Sequence, residues 1–207
     1  MIFIIRMFLF LSASSTNIWL RLRGVRNIRS GGLVRIELSK TSRLVATGLT
    51  STVGAPIQGQ GSPLLIETIF AMEKGAVAEF DSVAIGRGAS VRVLENAQLQ
   101  IGKGTYLSER CRVTCAREIK IGAGCAISWD VDIFDENGHT ISSKSDQRPI
   151  LIGNKVWIGA RSMILSGAVI GDGCIVAAGA VVKGQFPAGC LIGGVPARIL
   201  KENISWS

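Results

Sequence analysis

The chain contains a single histidine, His139, which lies in a polar stretch at residues 134–151. An imidazole titrates near neutrality, so it can act as a general base that takes a proton from a hydroxyl or an amine. Asp135, Glu136 and Asn137 come just before it. Either one of these residues orients the imidazole, or all three are turn residues that solvate the loop, and their composition favours the second interpretation.

The residues that follow this stretch repeat with a period of six, and the positions of the period hold Ile152, Ile158, Ile164, Ile170, Val176 and Val182. Positions six apart spread over three faces of a helix, but in a strand every even spacing returns to the same face. The fourth residue after each aliphatic is small, as at Val156, Ser162, Ala168, Cys174 and Ala180. The pattern predicts short strands coiled around a narrow apolar core, which is a β-solenoid.

The six-residue pattern also extends to earlier parts of the chain. It is clear from Ile85 onward and slips at corners, whereas residues 31–84 alternate less regularly and predict irregular first coils. We therefore assign residues 31–200 to the solenoid, 134–151 to a loop inserted in it, and 201–207 to a C-terminal tail. An insertion in a regular solenoid is where function tends to lie.

The composition suits a thin core with many turns, since 47% of residues are hydrophobic, 6% are aromatic and 25 are glycine. Three of the five cysteines, Cys111, Cys125 and Cys174, occupy the small inward position. We interpret them as reduced core residues, and this interpretation fits a reducing compartment.

The N-terminal segment, residues 1–30, is apolar at its start and basic afterwards. Residues 1–43 hold eight basic residues and one acid, for a net charge of +7, against +1 for the remaining 164 residues. The initial apolar run of 11 residues is too short to span a bilayer, and Arg6 interrupts it where a signal peptide would be apolar. We predict a helix that packs on the open end of the solenoid or, for residues 1–29, touches an anionic membrane.

The stretch from Ile85 to Arg198, with VWIGA, ILSGAVIGDG, AAGAVV and GGVPARIL, resembles the hexapeptide-repeat acyltransferases, especially the branch that acetylates sugars. The resemblance implies an all-β, left-handed parallel β-helix and acetyl-CoA as acyl donor. It also implies a homotrimer with active sites between subunits, a saccharide or similar hydroxyl acceptor, and neither metal nor nucleic acid.

The resemblance also implies roles for particular residues. The stretch ISWDVDIFDENGHTI is similar to the family's loop and makes His139 the general base. The family's acetyl-CoA contacts fall on Ala160, Ala178, Lys183 and Arg198. Trp157, which is predicted to point outward like Met163, is assigned to the same cleft or to a subunit contact.

Some positions leave the acceptor open. Relatives that act on galactosides carry Asn where this chain has Ser108, and many relatives have Thr where it has Val182. Trp129 and Asp130 either wall the acceptor pocket or are exposed corner residues.

The expected function is therefore acetyl-CoA-dependent O-acetylation of a saccharide, as in polysaccharide biosynthesis, by a cytoplasmic protein or one at the inner face of the membrane. N-acetylation of an amino sugar is the alternative, because the same base serves an amine. A non-catalytic scaffold fits less well with the inserted loop. A zinc carbonic anhydrase on the same solenoid needs three histidines per site, which one histidine per chain does not supply.

Overall fold

The computed structural model describes residues 27–31, 33–48, 50–55, 66–136, 138–141, 144–145 and 147–206. Over these ranges the chain forms 25 short β-strands and no helix. The three large sheets form the sides of a prism, because each turn of the chain adds one strand to each sheet in succession.

Sheet A contains β1 (Ile28–Ser30), β4 (Ser51–Val53), β7 (Ala84–Ile85), β10 (Tyr106–Leu107), β13 (Ala126–Ile127), β18 (Trp157–Ile158), β21 (Ile175–Val176), β24 (Leu191–Gly194) and β25 (Ala197–Lys201). Sheet B contains β2 (Val34–Leu38), β5 (Thr68–Met72), β8 (Ser90–Val93), β11 (Arg112–Cys115), β14 (Asp132–Phe134), β19 (Met163–Leu165) and β22 (Val181–Val182). Sheet C contains β3 (Arg43–Thr47), β6 (Val77–Asp81), β9 (Gln98–Ile101), β12 (Glu118–Ile121), β17 (Ile150–Ile152), β20 (Val169–Ile170) and β23 (Gln185–Phe186). The remaining strands, β15 (Thr140–Ile141) and β16 (Lys144–Ser145), form a separate hairpin. Apart from this hairpin and the antiparallel pair β24–β25, the ladders are parallel, and the predicted all-β, left-handed parallel β-helix is confirmed.

The length of each coil follows from the strand register. Trp157 pairs with Ile175, 18 positions later, which is three hexads. Tyr106 pairs with Ala126, 20 positions later, so two extra residues account for an earlier slip in the pattern. Ala126 pairs with Trp157, 31 positions later, because this coil holds the insertion. The three turns of a coil are named here corner AB, corner BC and corner CA, after the sheets that they connect.

The hexad aliphatics point inward, as predicted, and the six from Ile152 to Val182 are all buried. The small inward residues between them, from Val156 to Ala180, are buried as well. Glycine after an aliphatic is required where coils stack closely: a Cβ on Gly159 would lie 2.6 Å from the amide nitrogen of Ala178. The hexad pattern therefore reflects how side chains and backbone pack between successive coils.

All five cysteines are free thiols and buried, which confirms the interpretation of Cys111, Cys125 and Cys174 as core residues. Burial raises the pKa of the Cys111 thiol to about 12 and that of Cys115 to about 12. A thiol is nucleophilic only as the thiolate, so these side chains are unreactive in the folded protein.

We therefore expect Ellman's reagent to leave the native protein unlabelled over the minutes needed to titrate free coenzyme A, and to label five thiols per chain in guanidinium chloride. Stoichiometric labelling of the native protein would contradict the burial of these thiols.

The N-terminal segment falls mainly on residues 1–26, and the predicted helix and its membrane contact lie there, outside the described residues. The solenoid begins earlier than predicted, because Ile28–Ser30 form β1 rather than the end of a helix and pair with β4. Among the described residues there is no helix long and apolar enough to cross a membrane.

Candidate active site

The insertion interrupts corner BC of the coil that begins with β13. It extends from Asp135, directly after β14, to Pro149, directly before β17, and contains the hairpin β15–β16. His139 lies just before this hairpin and is exposed to solvent. The solenoid thus supplies a rigid base from which the insertion presents an accessible imidazole.

Asp135 fixes the first residue of the insertion. Its carboxylate is fully buried and accepts backbone N–H bonds from Ala116 (2.6 Å) and Arg117 (2.9 Å), at corner BC of the preceding coil, and from Glu118 (2.7 Å), the first residue of β12. The expectation that residues 135–137 are solvated turn residues is therefore wrong for Asp135, while Asn137 lies outside the described residues. A buried carboxylate with three donors is a structural anchor.

The two ends of the insertion are also held together by side chains. Arg117 donates to the carbonyl oxygen of Gln147 (3.2 Å), and the amide of Gln147 donates to the carboxylate of Glu136 (3.4 Å). The backbone N–H of Arg148 donates to the hydroxyl of Ser166 in the next coil (2.9 Å). These contacts hold residues 136 and 147–148, called here the neck of the loop, and the neck lies three residues before His139.

Ala160 and Ala178 stack on each other at corner AB of successive coils. The N–H of Gly179 donates to the carbonyl oxygen of Ala160 (2.9 Å), so the two turns are in direct contact. A Cβ added to Gly179 would meet no described atom within 4 Å. The two alanines therefore belong to a strip of small residues that is open on its outer side.

One coil earlier in the chain, which is the level below this strip in the stack of coils, corner AB carries larger and charged side chains. Trp129 is 45% exposed and stands one coil below Ala160. Arg110 forms two hydrogen bonds to the carboxylate of Asp130 (2.8 and 2.9 Å). These bonds lower the pKa of Asp130 and raise the pKa of Arg110, so the pair stays ionised. Arg161 follows in the next coil and acts electrostatically on Asp130.

The two predicted cofactor bases lie at different positions in the C-terminal coils. Lys183 is exposed at corner BC, two coils above the insertion. Arg198 is exposed on β25, which pairs antiparallel with β24 after a turn that contains the cis peptide Val195–Pro196. One copy of the chain thus brings the insertion and Lys183 to one edge of sheet B, and Ala160 and Ala178 to the other.

Trp157 points outward from sheet A and is 42% exposed, as is Met163 from sheet B at 37%, in agreement with the predicted orientation. The indole N–H of Trp157 donates to the hydroxyl of Ser128 (3.3 Å). Trp206 of the C-terminal tail packs beside it, with ring centroids 6.1 Å apart, and donates to the carbonyl oxygen of Lys155 (2.8 Å). The tail therefore returns to the body of the solenoid and covers part of Trp157.

Ser108, where galactoside-specific relatives have Asn, is fully buried at corner AB, and its hydroxyl has no hydrogen-bond partner among the described residues. Over the same part of the chain there is no group of three side chains that could hold a metal ion.

Two site features escaped the sequence interpretation. In the sequence Asp135 looks like an ordinary loop residue. The only signal was the buried strand directly before it, which places Asp135 at the edge of the core. Trp206 lies in a short polar tail with no periodic pattern, so the sequence carries no signal for its contact with Trp157.

The chain matches a family model described as "Bacterial transferase hexapeptide (six repeats)" over residues 149–184. It is 43% identical over 142 residues to a putative lipopolysaccharide biosynthesis O-acetyl transferase of Escherichia coli, covering 62% of this chain and 72% of that protein. It is 29% identical to the galactoside O-acetyltransferase of E. coli, covering 51% of this chain and 55% of the relative. It is also 33% identical to a tetrahydropyridine-dicarboxylate N-acetyltransferase of Staphylococcus aureus, covering 43% of this chain but only 33% of that protein.

Two solved structures share the fold over most of the chain. The polysialic acid O-acetyltransferase OatWY is 24% identical, with a TM-score of 0.63 over 86% of this chain and 90% of that one. The polysialic acid-specific acetyltransferase NeuO is 23% identical, with a TM-score of 0.55 over 86% of this chain and 85% of that one. The hexads, the β-helix that they build and the similarity to the E. coli relative agree, and the chain belongs to the hexapeptide-repeat acyltransferase family.

Proposed function

We propose that the protein transfers an acetyl group from acetyl-CoA to a hydroxyl of a saccharide, with His139 as general base. The observation that carries the proposal is the order of the candidate residues along the solenoid axis. Arg198 lies on β25 at the C-terminal end of the solenoid, and Lys183 and Ala178 share the coil below it. Ala160 lies one coil lower, and the coil with His139 comes next. This order matches a donor with phosphates at one end and a thioester at the other.

The residues present fit acetyl-CoA. Parallel strands lie about 4.8 Å apart, so the three steps from the coil of His139 to β24 span about 14 Å, a length that suits the slender arm of the cofactor. Small side chains on the strip allow that arm to approach the backbone. Lysine and arginine side chains donate charge-assisted hydrogen bonds to phosphate.

The chemistry is an acyl transfer in which His139 moves the proton. The acceptor oxygen attacks the thioester carbonyl carbon as the imidazole takes the hydroxyl proton. The tetrahedral intermediate then collapses, the carbon–sulfur bond breaks, and the imidazolium returns the proton to the sulfur of coenzyme A. The base regains its starting state, so it needs no further reactant.

The test is release of free thiol from acetyl-CoA in the presence of saccharides, with the unreactive protein thiols as a built-in low background. We expect thiol release to depend on the saccharide and the saccharide to gain one acetyl mass. Absence of acceptor-dependent release across hydroxyl and amino sugars would overturn the proposal.

N-acetylation is the second candidate, because one relative named above is an N-acetyltransferase. That similarity covers 33% of the relative, against 72% of the O-acetyl transferase. Matched pairs such as glucose and glucosamine separate the two: faster turnover of the amino sugar, with a stable amide product, would favour N-acetylation.

Removal of Lys183 or Arg198 is expected to raise the Michaelis constant for acetyl-CoA by about ten- to a hundredfold, the worth of a partly shielded charged hydrogen bond. The contact is the same in ground and transition states, so kcat and the acceptor constant should change little. Steady-state kinetics of Lys183→Ala and Arg198→Ala test this, with the exposed, distant Arg43→Ala as control. An unchanged acetyl-CoA constant in both variants would refute the assignment.

We also expect a homotrimer. The insertion and the small-residue strip lie on opposite edges of sheet B, and adjacent copies around a threefold axis can bring one edge of each together. Exposed Trp157 and Met163 are residues of the kind that such a contact uses. Light scattering coupled to size exclusion should give three times the chain mass of 22.0 kDa, and a monomer at micromolar concentration would contradict the expectation.

A further inference from the structure

Trp129 is an exposed aromatic side chain whose backbone is held firmly on both sides. Its carbonyl oxygen accepts the N–H of Arg161 (3.1 Å) in the coil above, and the N–H of the next residue, Asp130, donates to the carbonyl oxygen of Glu109 (3.1 Å) in the coil below. Asp130 adopts a left-handed conformation with φ of 57°. The indole ring, 45% exposed, thus stands on a rigid corner and leaves a large apolar surface in water.

Fixed polar groups occupy the same corner of the solenoid as this ring. Arg110 and Asp130 form a two-bond ion pair whose side chains remain 40% and 30% exposed. Arg161, also exposed, extends the same column upward. The pair offers guanidinium N–H donors and carboxylate acceptors in one geometry, because each partner holds the other. A corner that presents an apolar ring together with preset donors and acceptors is complementary to a pyranose, which has an apolar face and a rim of hydroxyls.

The axial position of Trp129 agrees with an acceptor subsite. The coil that carries it at corner AB also carries the insertion with His139 at corner BC. It lies directly below Ala160 and Ala178 at corner AB, at the end of this column that is farther from β25 and Arg198. The thioester of a donor bound along that column would lie near the level of Trp129.

We propose that a pyranose ring of the acceptor stacks on Trp129, with the Arg110–Asp130 pair binding its hydroxyls. This inference rests on the proposed function and narrows its acceptor to a saccharide ring, in contrast to an acyclic hydroxyl compound. Trp129 is then a specificity-determining residue, and acetyl-CoA binding does not depend on it.

The experiment measures binding and turnover of Trp129→Ala and Trp129→Phe with a defined panel. The ring compounds are lactose, maltotriose, chitotriose and oligomeric polysialic acid, and the acyclic comparators are glycerol and N-acetylserine methyl ester. Binding is followed by tryptophan fluorescence and by saturation-transfer NMR in the presence of acetyl-CoA. Leu151→Ala, which truncates another exposed apolar residue of the same coil on sheet C, is the matched control.

We expect at least one ring compound to bind and to alter the indole fluorescence of the parent protein. Trp129→Ala should weaken that binding and raise the acceptor Michaelis constant about tenfold, because the apolar face of the sugar then stays in water. Trp129→Phe should restore most of the affinity without the fluorescence change. The acetyl-CoA constant, the melting temperature and the Leu151→Ala variant should stay near the parent values.

The inference is overturned if no ring compound binds better than the acyclic comparators. It is also overturned if Trp129→Ala leaves saccharide binding within about twofold of the parent, or shifts the acetyl-CoA constant instead. These results differ from failure of the proposed function, which is the absence of acceptor-dependent thiol release in the parent protein. Because binding is measured separately from turnover, the subsite is decided in either case.

Discussion

Replacement of His139 by alanine is expected to lower kcat by about two to four orders of magnitude, the usual contribution of a general base. The side chain is exposed, so its removal leaves no cavity and should not change the melting temperature. The Michaelis constant for acetyl-CoA should change little, because the base acts on the acceptor proton. The measurement is steady-state thiol release at saturating acetyl-CoA, and added imidazole should restore part of the missing rate.

The matched control for this variant is Glu136→Gln, in the same loop. Glu136 contacts Gln147 at the loop neck, three residues before His139. If its carboxylate only helps to close the neck, the substitution should lower kcat by less than about threefold, since one weak surface contact contributes little. A large loss in the control would make Glu136 the group that orients the imidazole, and normal turnover in His139→Ala would remove His139 from the mechanism.

Much of the fold could be predicted from the sequence, because the core positions of a solenoid recur at a short, regular spacing along the chain. Ile152, Ile158 and Ile164 point inward since six is even in a strand, and stacking of equal coils buries them all. The beginning of the solenoid was harder to predict. Ile28–Ser30 follow a basic segment and carry no hexad, so only their pairing with Ser51–Val53 identifies them as a strand.

The candidate site was predicted less completely, because its parts come from different corners. His139 and the strip of Ala160 and Ala178 could be named from motifs, yet their separation across sheet B depends on which corner each turn occupies. The Arg110–Asp130 pair is formed by residues 20 positions apart that meet only when coils stack. The pair forms because this coil has 20 residues. The interruptions of the six-residue pattern indicated that the coil is longer than three hexads, but they did not give its length.

Asp135 is expected to contribute the largest stabilisation of any single polar side chain at the loop. One oxygen of the fully buried carboxylate accepts the N–H of Ala116, and the other accepts those of Arg117 and Glu118. Alanine would leave these three donors without their acceptor, and asparagine would place its own N–H donor against backbone N–H donors. A hydrogen bond to a charged group contributes about 1.5–3 kcal/mol, so we expect a loss of about 3 kcal/mol or more in the free energy of unfolding.

The same change should also lower turnover, because the insertion that carries His139 begins at Asp135 and a base displaced by about 1 Å can cost two orders of magnitude. Urea unfolding and kcat of Asp135→Asn and Asp135→Ala test both effects. An unchanged Michaelis constant for acetyl-CoA would show that only the loop has moved.

The matched control is Asp172→Asn. This exposed carboxylate accepts the N–H of Asn154 (2.7 Å) at corner CA, and water can replace the bond there. We expect the control to cost less than about 1 kcal/mol. Equal losses in Asp135 and Asp172 variants would mean that burial of the Asp135 carboxylate does not anchor the loop.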